Sequence, residues 1–136
     1  MADTILIVDD TPFMRKIVSL ALNAVGYDHI DEAHNAVDAI FMLTHGVKPM
    51  LIITGAHMPP MDGLPLAKRI KEIPRHSGTP ILAITSTCSG SAACTDCHEI
   101  GADALLKKPF TVKELYDVVG NVVSEKYGDV ALSPHK

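Results

Sequence analysis

The chain reads as a doubly wound α/β domain. Five parallel strands in the order 2-1-3-4-5 form the middle of a three-layer sandwich, with helices on both faces. Two observations predict it. Five short apolar runs rich in β-branched residues alternate with five segments of helical period along the 136 residues. The runs are continuous rather than alternating, as expected of strands covered on both faces of a parallel sheet. Such an alternation implies right-handed crossovers, and sheets of this kind place function at the carboxyl ends of their strands.

Thr4-Ile5-Leu6-Ile7-Val8 is the first strand. Thr11 can cap the helix that follows, with Pro12 in its first turn. Met14, Ile17, Val18, Ala21, Leu22 and Val25 give that helix an apolar face, and Gly26 stops it. A short strand over His29–Ala33 leads to a second helix capped by Asn35, with Val37, Ile40 and Phe41 as its apolar face. Gly46 and Pro49 end it. Met50–Thr54 is the third strand; Leu66, Ala67, Ile70 and Ile73 mark the third helix, closed off by Pro74 and Gly78. Ile81–Thr85 is the fourth strand, and a Ser-rich turn precedes a helix over about Ser91–Ile100 that Gly101 stops. Ala104–Lys107 is the fifth strand. Thr111 caps a last helix with Leu115, Val118, Val119 and Val122 on one face. One domain over residues 1–126 and a short polar tail over 127–136 account for the chain.

Composition bounds the function. Apolar residues at 47% and charged residues at 21% are the balance of a folded globular protein. A net charge of −4 without any basic run argues against nucleic acid as a partner. No apolar stretch approaches the roughly 20 residues of a membrane span. The N-terminus lacks the basic and long apolar regions of a signal peptide. Three cysteines, an odd number, do not make a secreted disulfide framework, so the default is a cytoplasmic protein with reduced thiols.

Four separated elements converge on the carboxyl edge of the predicted sheet. Asp9 and Asp10 follow the first strand, and two adjacent carboxylates call for a hard cation such as Mg²⁺. The third strand runs into Gly55-Ala56-His57-Met58-Pro59-Pro60-Met61-Asp62-Gly63; Thr85 ends the fourth strand; Lys108 precedes Pro109 after the fifth. From about Thr4 to Glu125 this pattern resembles response-regulator receiver domains of the flavodoxin-like, CheY-like type. Val8-Asp9-Asp10 with Met14-Arg15 and Ile17-Val18 looks closest to the single-domain chemotaxis form.

The resemblance implies a signalling domain of two-component phosphorelays, not an enzyme. An acceptor carboxylate at the end of the third strand takes a phosphoryl group from a kinase phosphohistidine. It implies metal contacts for Asp9, Asp10 and the His57 carbonyl, and phosphoryl-oxygen contacts for Thr85 and Lys108. Counting back three residues from Met58, the acceptor position falls on Gly55, which has no side chain. Leu105, three residues before Lys108, stands where the family usually carries an aromatic that moves with the Thr. The expectation is therefore a phosphorylation-independent binding module, a pseudo-receiver with only weak Mg²⁺ binding and no organic cofactor. Its partner would be a histidine kinase, a motor or switch protein, or another effector. Contact is expected on the fourth helix, fifth strand and fifth helix, including Cys94, Leu105, Lys107 and Tyr116. An alternative is that Gly55 is an engineered or recent change in an ordinary phosphorylatable receiver, since Asp-to-Gly needs a single base.

Cys94-Thr95-Asp96-Cys97-His98 spells C-x-x-C-H, the attachment signature of c-type haem, but it falls inside a predicted helix of a complete fold. Zinc is the stronger rival: Cys94, Cys97 and His98 share one helix face and Cys88 could add a fourth ligand, making a metal-sensing receiver. Small apolar cysteines packing in a helix are the plainer reading. Other classes fail on their motifs. Asp9-Asp10-Thr11 lacks the Asp-x-Asp of haloacid-dehalogenase phosphatases, the first loop lacks a flavodoxin phosphate-binding sequence, and no Walker or dinucleotide glycine pattern occurs.

Overall fold

The computed structural model describes residues 4–55, 68–76, 78–85, 103–107 and 110–127. Within them lie strands β1 (Ile5–Val8), β2 (Ile30–Ala33), β3 (Leu51–Gly55), β4 (Ile81–Thr85) and β5 (Ala104–Lys107). Helix α1 spans Pro12–Ala24, α2 spans Ala36–Thr44, and a C-terminal helix spans Val112–Tyr127. Residues 68–71 are helical and a 3-10 turn, Pro74–His76, follows. The strands pair in parallel in the order β2-β1-β3-β4-β5. This is the parallel, doubly wound α/β arrangement that the alternating pattern predicts.

The unbroken apolar strands have the expected cause. Successive side chains point to opposite faces, so Ile5 and Ile7 enter one core while Leu6 and Val8 enter the other. β3 repeats this, with Leu51 and Ile53 on the first side and Ile52 on the second. α1 and the C-terminal helix close the first core with Val18, Ala21 and Leu22 and with Leu115, Val119, Val122 and Val123. The second core is covered by Ala36, Ala39 and Leu43 of α2 and by Ile70. β2 forms one edge of the sheet, with Asp31 and Glu32 exposed.

Two helix starts are held as their sequences predict. Asn35 Oδ1 accepts from the Asp38 amide at 2.7 Å. Thr111 and Glu114 form a reciprocal capping box, with Glu114 N donating to Thr111 Oγ1 at 3.0 Å and Thr111 N to Glu114 Oε1 at 2.8 Å. Gly26 and Gly46 follow α1 and α2 with φ of 106° and 112°, the left-handed region in which glycine ends a helix. His76 is buried, and its Nε2 lies 3.1 Å from the carbonyl oxygen of Leu43 in the last turn of α2.

The apolar face assigned to the second helix is corrected. Val37 and Phe41 are exposed at 62% and 56%, and the buried side is Ala36, Ala39 and Leu43, with Ile40 packed at its margin. The helix is apolar nearly all round, so its period does not select a face. The sheet takes the side with the small alanines. Phe41 instead stacks on His45, their rings 3.9 Å apart. The predicted helix over Ser91–Ile100 and the tail beyond Tyr127 lie outside the described residues, and no described helix is long and apolar enough to cross a membrane.

Candidate functional site

Strand register assembles the site. Val8 pairs with both Ala33 and Thr54, Gly55 with Ile84, and Thr85 with Lys107. The carboxyl ends of β1, β3, β4 and β5 therefore share one rim, carrying Asp9 and Asp10, Gly55, Thr85 and Lys107. The Asp9 amide donates to Ala33 O at 3.1 Å, which extends the ladder one residue past Val8 and fixes where the side chain starts.

Asp9 is 7% exposed, while its neighbour Asp10 is exposed. Asp9 Oδ1 accepts twice from Thr11, from the amide at 2.9 Å and from the hydroxyl at 2.6 Å. Thr11 occupies the cap position of α1, but its hydroxyl makes no cap bond to the helix. That corrects the capping role: the hydroxyl is drawn to a charged acceptor, a stronger partner than a helix amide. Pro12 at the next position has no amide to leave unsatisfied. The other carboxylate oxygen faces Gly55. A Cβ built on Gly55 would stand 2.9 Å from Asp9 Oδ2 and 3.6 Å from Cγ, so the space a side chain would need is held by Asp9. Thr54, fully buried, donates its hydroxyl to Gly55 O at 3.1 Å.

Arg15 completes the cluster. Its Nη1 donates to Asp9 O at 2.7 Å and its Nε to Glu32 Oε1 at 3.0 Å, tying α1 to the ends of β1 and β2. Sequence reasoning missed this clasp and the Thr11 contact. The Asp9-x-Thr11 spacing, that of an aspartate bonding the backbone two residues on, was the available signal for the second. Nothing local signals the first, because Glu32 lies on another strand.

As for a cation, Asp9 offers one oxygen not taken by Thr11 and Asp10 offers an exposed carboxylate. Two adjacent acids fit Mg²⁺ in kind, but a hard divalent ion is held by the number of its anionic oxygens, and Gly55 adds none. No group of three or more His, Cys, Asp or Glu side chains able to hold a metal occurs among the described residues. His57, Lys108, Cys88, Cys94, Cys97 and His98 lie outside those residues. Of the expected partner face, Leu105 and Lys107 lie in β5 and Tyr116 is half-buried on the C-terminal helix. Burial pushes the Tyr27 phenol up, and Tyr116 adds to the shift.

Comparisons with known proteins agree with this geometry. A family described as the response regulator receiver domain matches residues 5–120. A chemotaxis protein CheY homolog of Campylobacter jejuni is 32% identical over 127 residues, covering 93% of this chain and 97% of that protein. Chemotaxis protein CheY1 of Helicobacter pylori is 35% identical over 118 residues, covering 85% and 94%. Among solved structures, chemotaxis response regulator CheY4 of Vibrio cholerae superposes with a TM-score of 0.81 at 27% identity, covering 90% of this chain and 99% of that one.

Proposed function

The chain belongs to the response regulator receiver domain family, and from that premise we propose that it is a CheY-like signalling module whose output does not depend on phosphorylation. One observation carries the reading. At the end of β3, where the family pattern puts the acceptor carboxylate, stands Gly55, and Asp9 Oδ2 lies only 2.9 Å from where its side chain would begin. An acyl phosphate needs a carboxylate oxygen as nucleophile. Gly55 supplies none, and Asp9 is turned toward the vacated space with its second oxygen bound to Thr11.

On this reading the rim works as a preformed shape. Arg15 and Thr11 hold Asp9 in place, and Thr54 fixes the Gly55 carbonyl. Mg²⁺, where bound, would sit on Asp9 and Asp10, neutralise their repulsion, and bind weakly for lack of a third carboxylate. Leu105 in place of an aromatic supports the same reading, since a phosphoryl signal would have no ring to move. The partner is a signalling protein of a two-component or chemotaxis-type pathway in the cytoplasm. It is a histidine kinase, a motor or switch protein, or an effector, and it meets the face that includes Leu105, Lys107 and Tyr116.

Incubation with acetyl phosphate and Mg²⁺ tests the proposal by intact mass spectrometry. The expected spectrum shows unmodified protein only. A phosphoryl increment that survives desalting overturns it.

A further inference from the structure

Val37 and Phe41 stand exposed on the outward face of α2, opposite the side that Ala36, Ala39 and Leu43 bury in the second core. Around Phe41 that face is symmetric in sequence. Val37 lies four residues before it and Thr44 three after; Asp38 lies three before and His45 four after. The members of each pair are seven residues apart, close to two turns. Val37 and Thr44 therefore share one flank of Phe41, and Asp38 and His45 share the other. Thr44 turns its hydroxyl back to the carbonyls of Ile40 and Phe41, at 2.9 and 3.1 Å, which leaves its methyl as the outward group.

We infer that α2 pairs with α2 of a second copy of this chain, antiparallel, about a two-fold axis at Phe41. That rotation reverses the helix and keeps each flank on its own side. Val37 then meets Thr44 of the second copy, and Asp38 meets its His45, each pair within about 1.5 Å of the same level along the helix. Phe41 meets Phe41 on the axis, and aromatic pairs contribute beyond the area they cover. A two-fold contact of this kind uses one patch on both copies and closes without leaving an open end.

Charge selects a second copy as the occupant. His45 Nδ1 lies 2.8 Å from Phe41 O. A carbonyl only accepts, so Nδ1 carries hydrogen and Nε2 is the nitrogen left for a partner. Asp38 Oδ2 lies 3.2 Å from His34 Nδ1, which leaves Oδ1 for one more donor. Across the axis the imidazolium Nε2 donates to that oxygen, twice per dimer. Each bridge needs both imidazole nitrogens protonated, so association takes up protons and tightens as pH falls. The other charged groups near α2 do not compete for His45. Glu32 on β2 is paired with Arg15, and His76 is bound to the Leu43 carbonyl. Asp31 on β2, Lys48 beyond Gly46, and Lys68, Arg69 and Glu72 beside Ile70 are exposed and make no described bond to it. One nine-residue helix per copy buries less than the roughly 800 Å² a side of a standard interface, so the dimer is weak and concentration-dependent. It concerns α2 rather than the strand-end rim, and it holds whether or not Gly55 silences phosphorylation.

Sedimentation velocity on the full chain at about pH 6, over a series reaching millimolar protein, tests it. The wild type should pass from monomer to dimer as concentration rises, and its association should weaken severalfold at about pH 8. Phe41→Glu should weaken association at least about tenfold. Asp38→Lys and His45→Glu should each do the same, because each sets like charges across both bridges. An equimolar mixture of those two variants should recover a dimer. In it a lysine at position 38 faces a glutamate at position 45, and the other bridge keeps its native Asp38 and His45. Urea midpoints of Phe41→Glu and His45→Glu should stay near wild type, since both positions are exposed. Recovery in the mixture shows that Asp38→Lys, which gives up the acid of the first turn, is still folded. Four outcomes overturn the inference: a monomeric wild type throughout, Phe41→Glu associating like wild type, a mixture that stays monomeric, or association indifferent to pH. A face that binds another protein while the wild type remains monomeric falls under the first.

Discussion

Adding a side chain at position 55 perturbs Asp9 first, and the contact distances give the size of the effect. In Gly55→Ala the new Cβ arrives 2.9 Å from Asp9 Oδ2, inside van der Waals contact, so the carboxylate must rotate. Rotation strains or breaks the two bonds from Thr11 at 2.6 and 2.9 Å. Hydrogen bonds to a charged group contribute about 1.5–3 kcal/mol each, and water can replace part of that at this half-open rim. Replacing glycine returns about 0.4–1 kcal/mol by restricting the unfolded chain. The net loss expected for Gly55→Ala is about 1–2 kcal/mol. Gly55→Asp adds a second carboxylate beside Asp9. At about 4 Å and an effective dielectric of about 20, repulsion adds up to about 4 kcal/mol. Mg²⁺ should relieve that repulsion, because the new acid would add a third carboxylate beside Asp9 and Asp10. At ten times its dissociation constant the ion returns about 1.4 kcal/mol. Urea denaturation with and without millimolar Mg²⁺ checks the series. The expected order of stability without metal is wild type, then Gly55→Ala, then Gly55→Asp, with clear rescue by Mg²⁺ only in the last. A Gly55→Ala protein as stable as wild type would refute the packing argument. A Gly55→Asp protein indifferent to Mg²⁺ would refute the claim that Asp9 and Asp10 wait around a vacated acceptor position.

Arg15→Ala removes the bond to the Asp9 carbonyl and the Glu32 pair, and a loss of about 1–2 kcal/mol is expected. Glu32→Gln touches only the partly exposed pair, so its urea midpoint should fall by less than about 1 kcal/mol equivalent. His76→Ala leaves the buried Leu43 carbonyl without its imidazole and should cost about 1–3 kcal/mol, read by thermal unfolding. Tyr27 links stability to alkaline pH. Burial first, and Tyr116 second, raise its phenol above the ordinary value of 10.0, so the unfolded chain loses this proton before the folded one. The contribution is full below the unfolded value and is lost as pH climbs through the raised folded value. Urea midpoints should fall above the ordinary tyrosine range in wild type, and Tyr27→Phe should flatten that fall.

Much of this architecture is legible in the chain because strand burial is written as composition. Ile5-Leu6-Ile7-Val8 cannot be half-solvated, and the structure buries all four. Asn35 and Thr111 announce helix starts because their side chains bond amides only three residues on. α2 is illegible for the opposite reason: Ala36–Thr44 offers apolar residues on every side, and only the sheet's demand for small side chains decides between them. The candidate site divides in the same way. Acid pair, Gly55 and Thr85 can be placed on one rim from topology alone. The approach of Asp9 to Gly55 depends on the pairing of Val8 with Thr54, a long-range register. The Arg15 clasp depends on Glu32, seventeen residues away across another strand.

The β2 edge limits how other chains can approach. A sheet edge is an open row of amides and carbonyls onto which a foreign strand can zip. Here the edge is four residues long, with Asp31 and Glu32 standing exposed along it and Glu32 anchored by Arg15. An incoming strand would have to desolvate two carboxylates for a ladder too short to repay it. Growth of the sheet from this side is thereby discouraged, in a crowded cell as much as in a concentrated sample. Recognition is left to the helices, the rim and the opposite edge of the sheet at β5.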